Sequence, residues 1–270
     1  HVFADADAVY LIMERVSGGS LDEYLKYSID SYRQGLSIDA VQQIAVQLLK
    51  AIQFCHSKNV IHRDIKPSNV LVSDDFTVKL ADFGLACLHS HSDQALGSPL
   101  YCAPEMFAAS GNLRRHEADR IVYDNLVDIW SFGCTVYELF EGLTPFHSEI
   151  YDDLVAKVRA FQYSVPEAVP KVFADLINGC LLPASDRKSA TDLMTCEFIQ
   201  DALRRGLESA PVTELANMAP AMEMSKDKYR ADADDVDIGN SADVHNIRRE
   251  MHEFIAGLGQ SSGNNGNIKN

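Results

Sequence analysis

The segment His62-Arg63-Asp64-Ile65-Lys66-Pro67-Ser68-Asn69, followed a short way on by Asp82-Phe83-Gly84, holds the residue types that phosphoryl transfer needs. Asp64, set in a tight loop, can accept or orient the proton of an incoming hydroxyl, and Lys66 can neutralise charge developing on the transferred group. Asn69 offers a neutral oxygen to a divalent cation and Asp82 a charged one. Hard oxygen donors of this kind suit Mg2+ rather than a soft metal. Any one of these residues alone would read as a surface acid or a helix cap. Together they point to moving a phosphate from ATP to a hydroxyl.

The elements that must hold these residues are legible from periodicity and punctuation. Ala8–Glu14 reads as a short apolar strand ending at charge, with Gly18-Gly19 after it. Ser20 or Asp22 then caps a short helix through Leu25. From Ser37 to about Ser57 the apolar residues Ile38, Val41, Ile44, Leu48, Ile52 and Cys55 recur on one face, predicting a long helix with one buried side. The catalytic run is a loop leading into two short strands, Asn69–Val72 and Thr77–Leu80. Residues 82–105 lack periodicity and read as an exposed loop. Val127 to about Phe140 is apolar nearly throughout, a helix buried on most sides. Leu154–Phe161, Val169–Leu181 and Ala190–Leu203 supply further helices.

Charge and composition narrow the function class. The chain has 270 residues, 46% of them hydrophobic, enough to bury a substantial core as one or two domains. It carries 24 basic against 39 acidic residues, a net charge of −15, which argues against an electrostatic nucleic-acid binder. Six scattered cysteines form no close pair, so zinc ligation and disulfide stapling are weak readings and a reducing, cytoplasmic setting, with the nucleus as the other option, is the simpler account. No apolar run reaches membrane-spanning length and no signal-peptide pattern opens the chain. The first residue is His1 rather than Met, which reads as a fragment, with processing as the other account. Beyond residue 206 the composition shifts. Residues 207–270 read as an acidic, largely flexible tail, with an acidic knot at Asp232–Asp237, a Gly/Asn-rich end at Ser261–Asn270, and a candidate amphipathic helix over 243–257 carrying Val244, Ile247, Met251, Phe254 and Ile255. That helix would dock on the core or on a partner.

With these residues in view, the chain resembles the C-terminal lobe of the eukaryotic protein kinase superfamily. His62–Asn69 matches the catalytic loop, Asp82-Phe83-Gly84 the metal-binding motif and Ala103-Pro104-Glu105 the end of the activation segment. Asp128-Ile129-Trp130-Ser131-Phe132-Gly133 resembles the helix whose aspartate ties down the catalytic-loop backbone, and Arg187 sits where the family keeps the arginine that pairs with Glu105. Five ordered motifs over roughly residues 2–203 make the resemblance specific. It implies a kinase-like α+β fold: a remnant of the small-lobe β-sheet and hinge at 1–16, then a predominantly helical C-terminal lobe at 17–206.

The resemblance also implies roles. Asp64 would orient or deprotonate a protein substrate's hydroxyl, Lys66 would contact the γ-phosphate, and Asn69 and Asp82 would hold Mg2+ bridging the phosphates of ATP. Lys66 fits serine/threonine kinases, and Ser98, within Gly97-Ser98-Pro99, would hydrogen-bond towards Asp64 and Lys66. Met13 would be the gatekeeper walling the adenine pocket, with Glu14 and Val16 offering backbone groups to adenine. Ser20 or Asp22 would reach the ribose, and Leu71 would lie beneath the ring. The partners implied are a protein with a serine or threonine acceptor and an activating kinase, with no nucleic acid; oligomeric state is left open.

Three departures qualify this. Arg63 resembles kinases switched on by activation-loop phosphorylation, yet Gln94 stands where many carry the phosphorylated threonine, so Ser90 or Ser92 would take the phosphate or Asp93 would supply constitutive charge. The stretch Phe107–Asn125 is longer than usual and holds Arg114-Arg115-His116, a solvated insertion or a docking site for an acidic partner. Finally, residues 1–13 contain no Gly-rich loop, strand lysine or helix glutamate, and of the family's regulatory spine only His62 and Phe83 remain. These 270 residues alone are therefore expected to transfer little or no phosphate. A non-catalytic, kinase-like binding or scaffolding module is the alternative.

Overall fold

Two helices organise the interior. α2 (Ile38–Ser57) begins where the Ser37 hydroxyl accepts from Ala40 N at 3.3 Å, and it buries Val41, Ile44, Leu48, Leu49 and Ile52. α4 (Leu126–Glu141) is buried along nearly its whole length, as its apolar run predicts, and ends at Gly142 in the left-handed region. Burying each large aliphatic or aromatic side chain of such helices contributes roughly 1.5–3 kcal/mol. α6 (Lys171–Cys180) packs close on α4 at Gly133, where a Cβ would stand 2.5 Å from Cys180 Cβ, so only glycine fits. Trp130 of α4 stacks on Phe146 at 5.1 Å, with the Arg187 guanidinium 5.1 Å from its ring.

The structure is a computed structural model that describes residues 2–4, 8–89, 91–94, 96–109, 120–166 and 169–230. Ser90, Arg114-Arg115-His116, Asp232–Asp237, the 243–257 helix and Ser261–Asn270 lie outside the described residues. The chain forms two units. His1–Met224 contains the site, and of Ser225–Asn270 only the backbone to Arg230 is described, as the end of a helix.

In chain order, β1 (Val2–Ala4) and β2 (Val9–Leu11) form an antiparallel pair in the register Val2↔Leu11. α1 runs Leu21–Tyr32 and α2 follows. β3 (Val70–Val72) pairs antiparallel with β4 (Val78–Leu80), Val70 facing Leu80. β5 (His91–Ser92) pairs with β6 (Tyr123–Asp124). α3 (Pro104–Ala109) precedes α4, and α5 (Tyr151–Arg159), α6, α7 (Ala190–Leu193), α8 (Glu197–Arg204) and α9 (Thr213–Arg230) complete the described elements. The helix-dominated α+β architecture is that of a kinase-like C-terminal lobe.

Four local expectations need correction. α1 does not stop at Leu25 but continues to Tyr32, because its polar Ser28 is buried and donates to Gly35 O at 3.1 Å. Its cap is Ser20, in a reciprocal box with Glu23, while Asp22 lies in the first turn. The single helix expected over Ala190–Leu203 is two, α7 ending at Leu193 and α8 starting afresh after Cys196. Residues 82–105 are not simply exposed loop, since Cys102 and Ala103 are buried. Packing also continues past residue 206, where composition changes. Leu207, Val212, Leu215, Met218 and Met222 are buried, the Glu214 carboxylate accepts from Ser37 N at 3.1 Å, and Gln47 amide bonds hold the carbonyls of Leu207 and Ala210.

Candidate active site

The catalytic loop is fixed by alternation. Ile61, Ile65, Val70 and Val72 are fully buried, and the polar residues between them turn towards one another. Its backbone is tied to one carboxylate: Asp128, fully buried near the start of α4, accepts from His62 N and Arg63 N, each at 2.8 Å. His56 Nε2, from the last turn of α2, lies 2.9 Å from the same group. These bonds hold Arg63 at φ +69°, a left-handed conformation that costs a non-glycine residue on the order of 1–3 kcal/mol. The loop's histidine is also defined. His62 Nε2 donates to Ala81 O at 2.9 Å, and its Nδ1 lies 3.4 Å from Asp64 N.

Asp64 is the centre of the web. Its Oδ1 accepts from Ser98 N at 3.1 Å and Ser98 Oγ at 2.9 Å, and its Oδ2 accepts from Lys66 Nζ and Asn69 Nδ2, each at 2.8 Å. Lys66 Nζ donates also to Ser98 Oγ at 2.7 Å. All four lone-pair positions of the carboxylate are thus occupied. Burial alone would push the Asp64 carboxyl upwards. The bonds from Lys66 and Ser98, the Lys66 charge and the Asn69 bond outweigh it and hold the carboxyl below its ordinary value.

Ser98 reaches Asp64 because Gly97 adopts φ +108° with its α-carbon so close to Arg63 O that a Cβ would fall 2.5 Å from that oxygen. The next turn is fastened to α4. Ser131 Oγ donates to Tyr101 O at 2.7 Å and the Tyr101 hydroxyl to Glu138 Oε2 at 2.6 Å. Thr135 Oγ1 reaches back to Ile65 O at 3.4 Å. Asp128, Ser131, Thr135 and Glu138 therefore form one polar stripe at helical spacing, binding the catalytic loop on one side and the 98–103 turn on the other. Further along, Arg187 grips Glu105 with both terminal nitrogens at 2.6 and 3.2 Å, and its side chain is completely buried.

The proposed metal donors stand at the end of the β3–β4 pair. Val70 opposes Leu80, and Ala81 N donates to Asn69 O at 2.9 Å, which brings Asn69 beside the start of Asp82-Phe83-Gly84. Asn69 spends its amide nitrogen on Asp64 O and Oδ2, leaving the amide oxygen outside these bonds. Asp82 is exposed, at φ +59°, with one carboxylate oxygen accepting from Gly84 N at 3.2 Å. One neutral and one anionic oxygen at the same edge fit a hard divalent cation. The His62 and Phe83 rings meet edge-on at 4.8 Å.

The residues expected on the nucleotide side are placed differently. Met13 is 75% exposed. The Glu14 carboxylate is paired with Lys79 and Val16 is half-buried. Gly18 N donates to Val72 O at 2.9 Å, which lays the linker along β3, and Ser20 bridges to Leu71 while its hydroxyl caps α1. The structure thus gathers Asp64, Lys66, Asn69 and Ser98 in direct contact, sets Asp82 beside them and, among the described residues, shows no hydrogen bond or ion pair from Met13 or Glu14 to that web. Sequence reasoning named Asp128 but missed His56 and the contacts of Ser131, Thr135 and Glu138 that extend it into a polar stripe. Polar residues recurring at helical spacing inside an apolar helix were the available signal.

Comparison with known proteins agrees with this arrangement. A family model for the protein kinase domain matches residues 1–199. CBL-interacting protein kinase 25 of Oryza sativa subsp. japonica is 32% identical over 69% of this chain and 36% of its own length. Serine/threonine-protein kinase PLK4 of Drosophila simulans is 30% identical over 77% of this chain and 26% of its own. Calcium-dependent protein kinase 5 of Plasmodium berghei (strain Anka) is 34% identical over 60% of the chain and 27% of its own. The chain therefore spans between 26% and 36% of the length of these relatives. With the family's fold and motifs in one lobe, the chain belongs to the protein kinase family.

Proposed function

We propose that this lobe transfers the γ-phosphoryl group of ATP to serine or threonine hydroxyls of protein substrates. The observation that carries the reading is the closed triangle of Asp64, Lys66 and Ser98, with Asn69 locking its fourth bond.

Asp64 is ionised across the neutral range, since its carboxyl is held below the ordinary value, and so it can accept the proton of an incoming hydroxyl. No lone pair is vacant in the resting web, so the hydroxyl must replace a present partner. Lys66 is the candidate to leave, because its side chain is 24% exposed and its ammonium would be drawn to the phosphate. Phosphate binding by Lys66 and hydroxyl binding by Asp64 are thereby coupled. Ser98, whose backbone nitrogen stays on Oδ1, keeps the carboxylate oriented meanwhile. Asn69 and Asp82 would hold Mg2+, which when bound neutralises charge on the phosphates. Glu14 and Val16 would present backbone groups to adenine, with Met13, Ser20 and Leu71 around it, once a facing element covers the exposed Met13.

An activating kinase would act at Ser92, whose hydroxyl oxygen lies 2.9 Å from Arg63 Nη1; Asp93 is paired instead with Arg120. No helix among the described residues is long and apolar enough to cross a membrane. Six free thiols, four of them buried, go with a reducing cytoplasm.

The test is transfer of labelled γ-phosphate to serine- or threonine-containing proteins, by these 270 residues alone and by the chain supplied with a small lobe bearing a Gly-rich loop and strand lysine. The chain alone is expected to transfer little or none, and the supplemented chain to transfer in an Asp64-dependent way. Absence of transfer in both would leave the scaffolding reading.

A further inference from the structure

Arg63 is 7% exposed, yet among the described residues no carboxylate pairs with its guanidinium. Nε donates to Leu85 O at 2.5 Å, and Nη1 donates to Ser92 Oγ at 2.9 Å and to Gln94 Oε1 at 3.3 Å. All three acceptors are neutral, and two belong to the activation segment. That segment has further fastenings of its own. β5 and β6 pair His91 with Asp124 and Ser92 with Tyr123, the Tyr123 hydroxyl donates to Gln94 O, and Gln94 N donates to Ser92 Oγ at 3.3 Å. Arg120 closes the same strand pair on Asp93 at 2.9 Å. Immediately downstream, Gly97 lies against Arg63 O and Ser98 bonds Asp64, so whatever holds residues 92–94 on Arg63 also sets the approach of Ser98.

A charged donor makes stronger bonds to neutral acceptors than a neutral donor does, and here two such bonds converge from one short stretch of chain. We infer that Gln94 and Ser92 are positioning residues that hold the activation segment on Arg63 without a phosphate, and so keep Ser98 on Asp64 in the unphosphorylated chain. The catalytic meaning of this rests on the phosphotransfer reading above; the clamp itself does not. An activating kinase at Ser92 is then dispensable for ordering the segment.

Amide hydrogen exchange on the 270-residue chain tests this, after phosphatase treatment with the mass checked for absence of phosphate. Protection is expected at the amides of residues 91–94 and 123–124 and at Ser98 in the phosphate-free chain. Gln94→Ala should speed exchange at these amides about tenfold, Ser98 included, while α2 amides keep their rates. Gln94→Glu should restore protection, because its carboxylate can replace the lost acceptor on Arg63. Gln94 is exposed, so the variants fold, and unchanged α2 rates report this. The inference is overturned if phosphate-free wild type already exchanges as fast as Gln94→Ala and slows only once Ser92 is phosphorylated. It is equally overturned if Gln94→Ala leaves Ser98 protected or Gln94→Glu fails to restore. No transfer is measured, so such a failure would leave the phosphotransfer reading standing on its own test.

Discussion

The neighbourhood of Asp64 and the strand pair leading into the linker are both polar at their edges, but they are built on opposite principles. Around Asp64, buried polar groups are paired, and Asp128, Ser131, Thr135 and Glu138 tie two loops to a single helix. In the first strands and just after them, Val2, Tyr10, Ile12 and Met13 are exposed by half or more, and the linker is held by the exposed pairs Glu14–Lys79 and Ser17–Asp74. In a low-dielectric web each lost partner strands another group, whereas an exposed pair dissolves into solvent at little cost. The web around Asp64 is thus prebuilt by the lobe, whereas the first strands and the linker are held mainly by exposed contacts.

Substitutions that separate the two regions should rank accordingly. Asp128→Ala should be the most damaging, leaving the amide groups of His62 and Arg63 buried without an acceptor, with a loss of about 3–5 kcal/mol. Urea denaturation followed by tryptophan fluorescence reads this through Trp130, and a loss below about 1 kcal/mol would mean that the web is not cooperative. Ser98→Ala removes one of the bonds that lower the Asp64 carboxyl. Because that carboxyl is depressed in the folded chain, its contribution to stability is present above the ordinary carboxylate range and lost as pH falls through the folded value. With its folded value nearer the ordinary one, the variant should lose less stability as pH falls, and stop losing it at a higher pH, than wild type, seen in the urea midpoint between about pH 6 and pH 2. Coincident profiles would show that Ser98 does not tune Asp64. Smallest of all, Met13→Ala should change stability by no more than about 0.5 kcal/mol, as expected of a mostly exposed side chain. A loss near that of Asp128→Ala would erase the contrast.

Much of this was readable beforehand, for identifiable reasons. α2 and α4 follow from apolar periodicity and continuity, and the β3–β4 pair from a polar turn between two short apolar runs. Contacts such as Arg187 with Glu105 rested on family resemblance, since nothing local in either segment indicates the other. The continuation of α1 beyond Leu25 was hidden because a polar residue, Ser28, is buried on a backbone carbonyl, which breaks the pattern that periodicity relies on. Packing of residues 207–222 was obscured because their anchors, Gln47 on α2 and its cap Ser37, are polar. Gln94 was legible only as a departure from the phosphorylated threonine that many kinases carry there, with no hint of its bond to Arg63. An amide in a polar loop becomes informative only when Arg63 is seen to face it.

The dependence of the catalytic loop on Asp128 also has a bearing on how the chain is made. Residues 60–69 leave the ribosome well before their anchor, which enters only with the first turn of α4. Until then the amides of His62 and Arg63 lack the acceptor that holds Arg63 in its left-handed backbone, although bonds such as Asn69 to Asp64 and His62 to Ala81 lie wholly upstream of α4. The loop's backbone geometry is therefore completed only when α4 docks on α2, and a nascent chain halted short of that helix would carry the full motif without its carboxylate anchor.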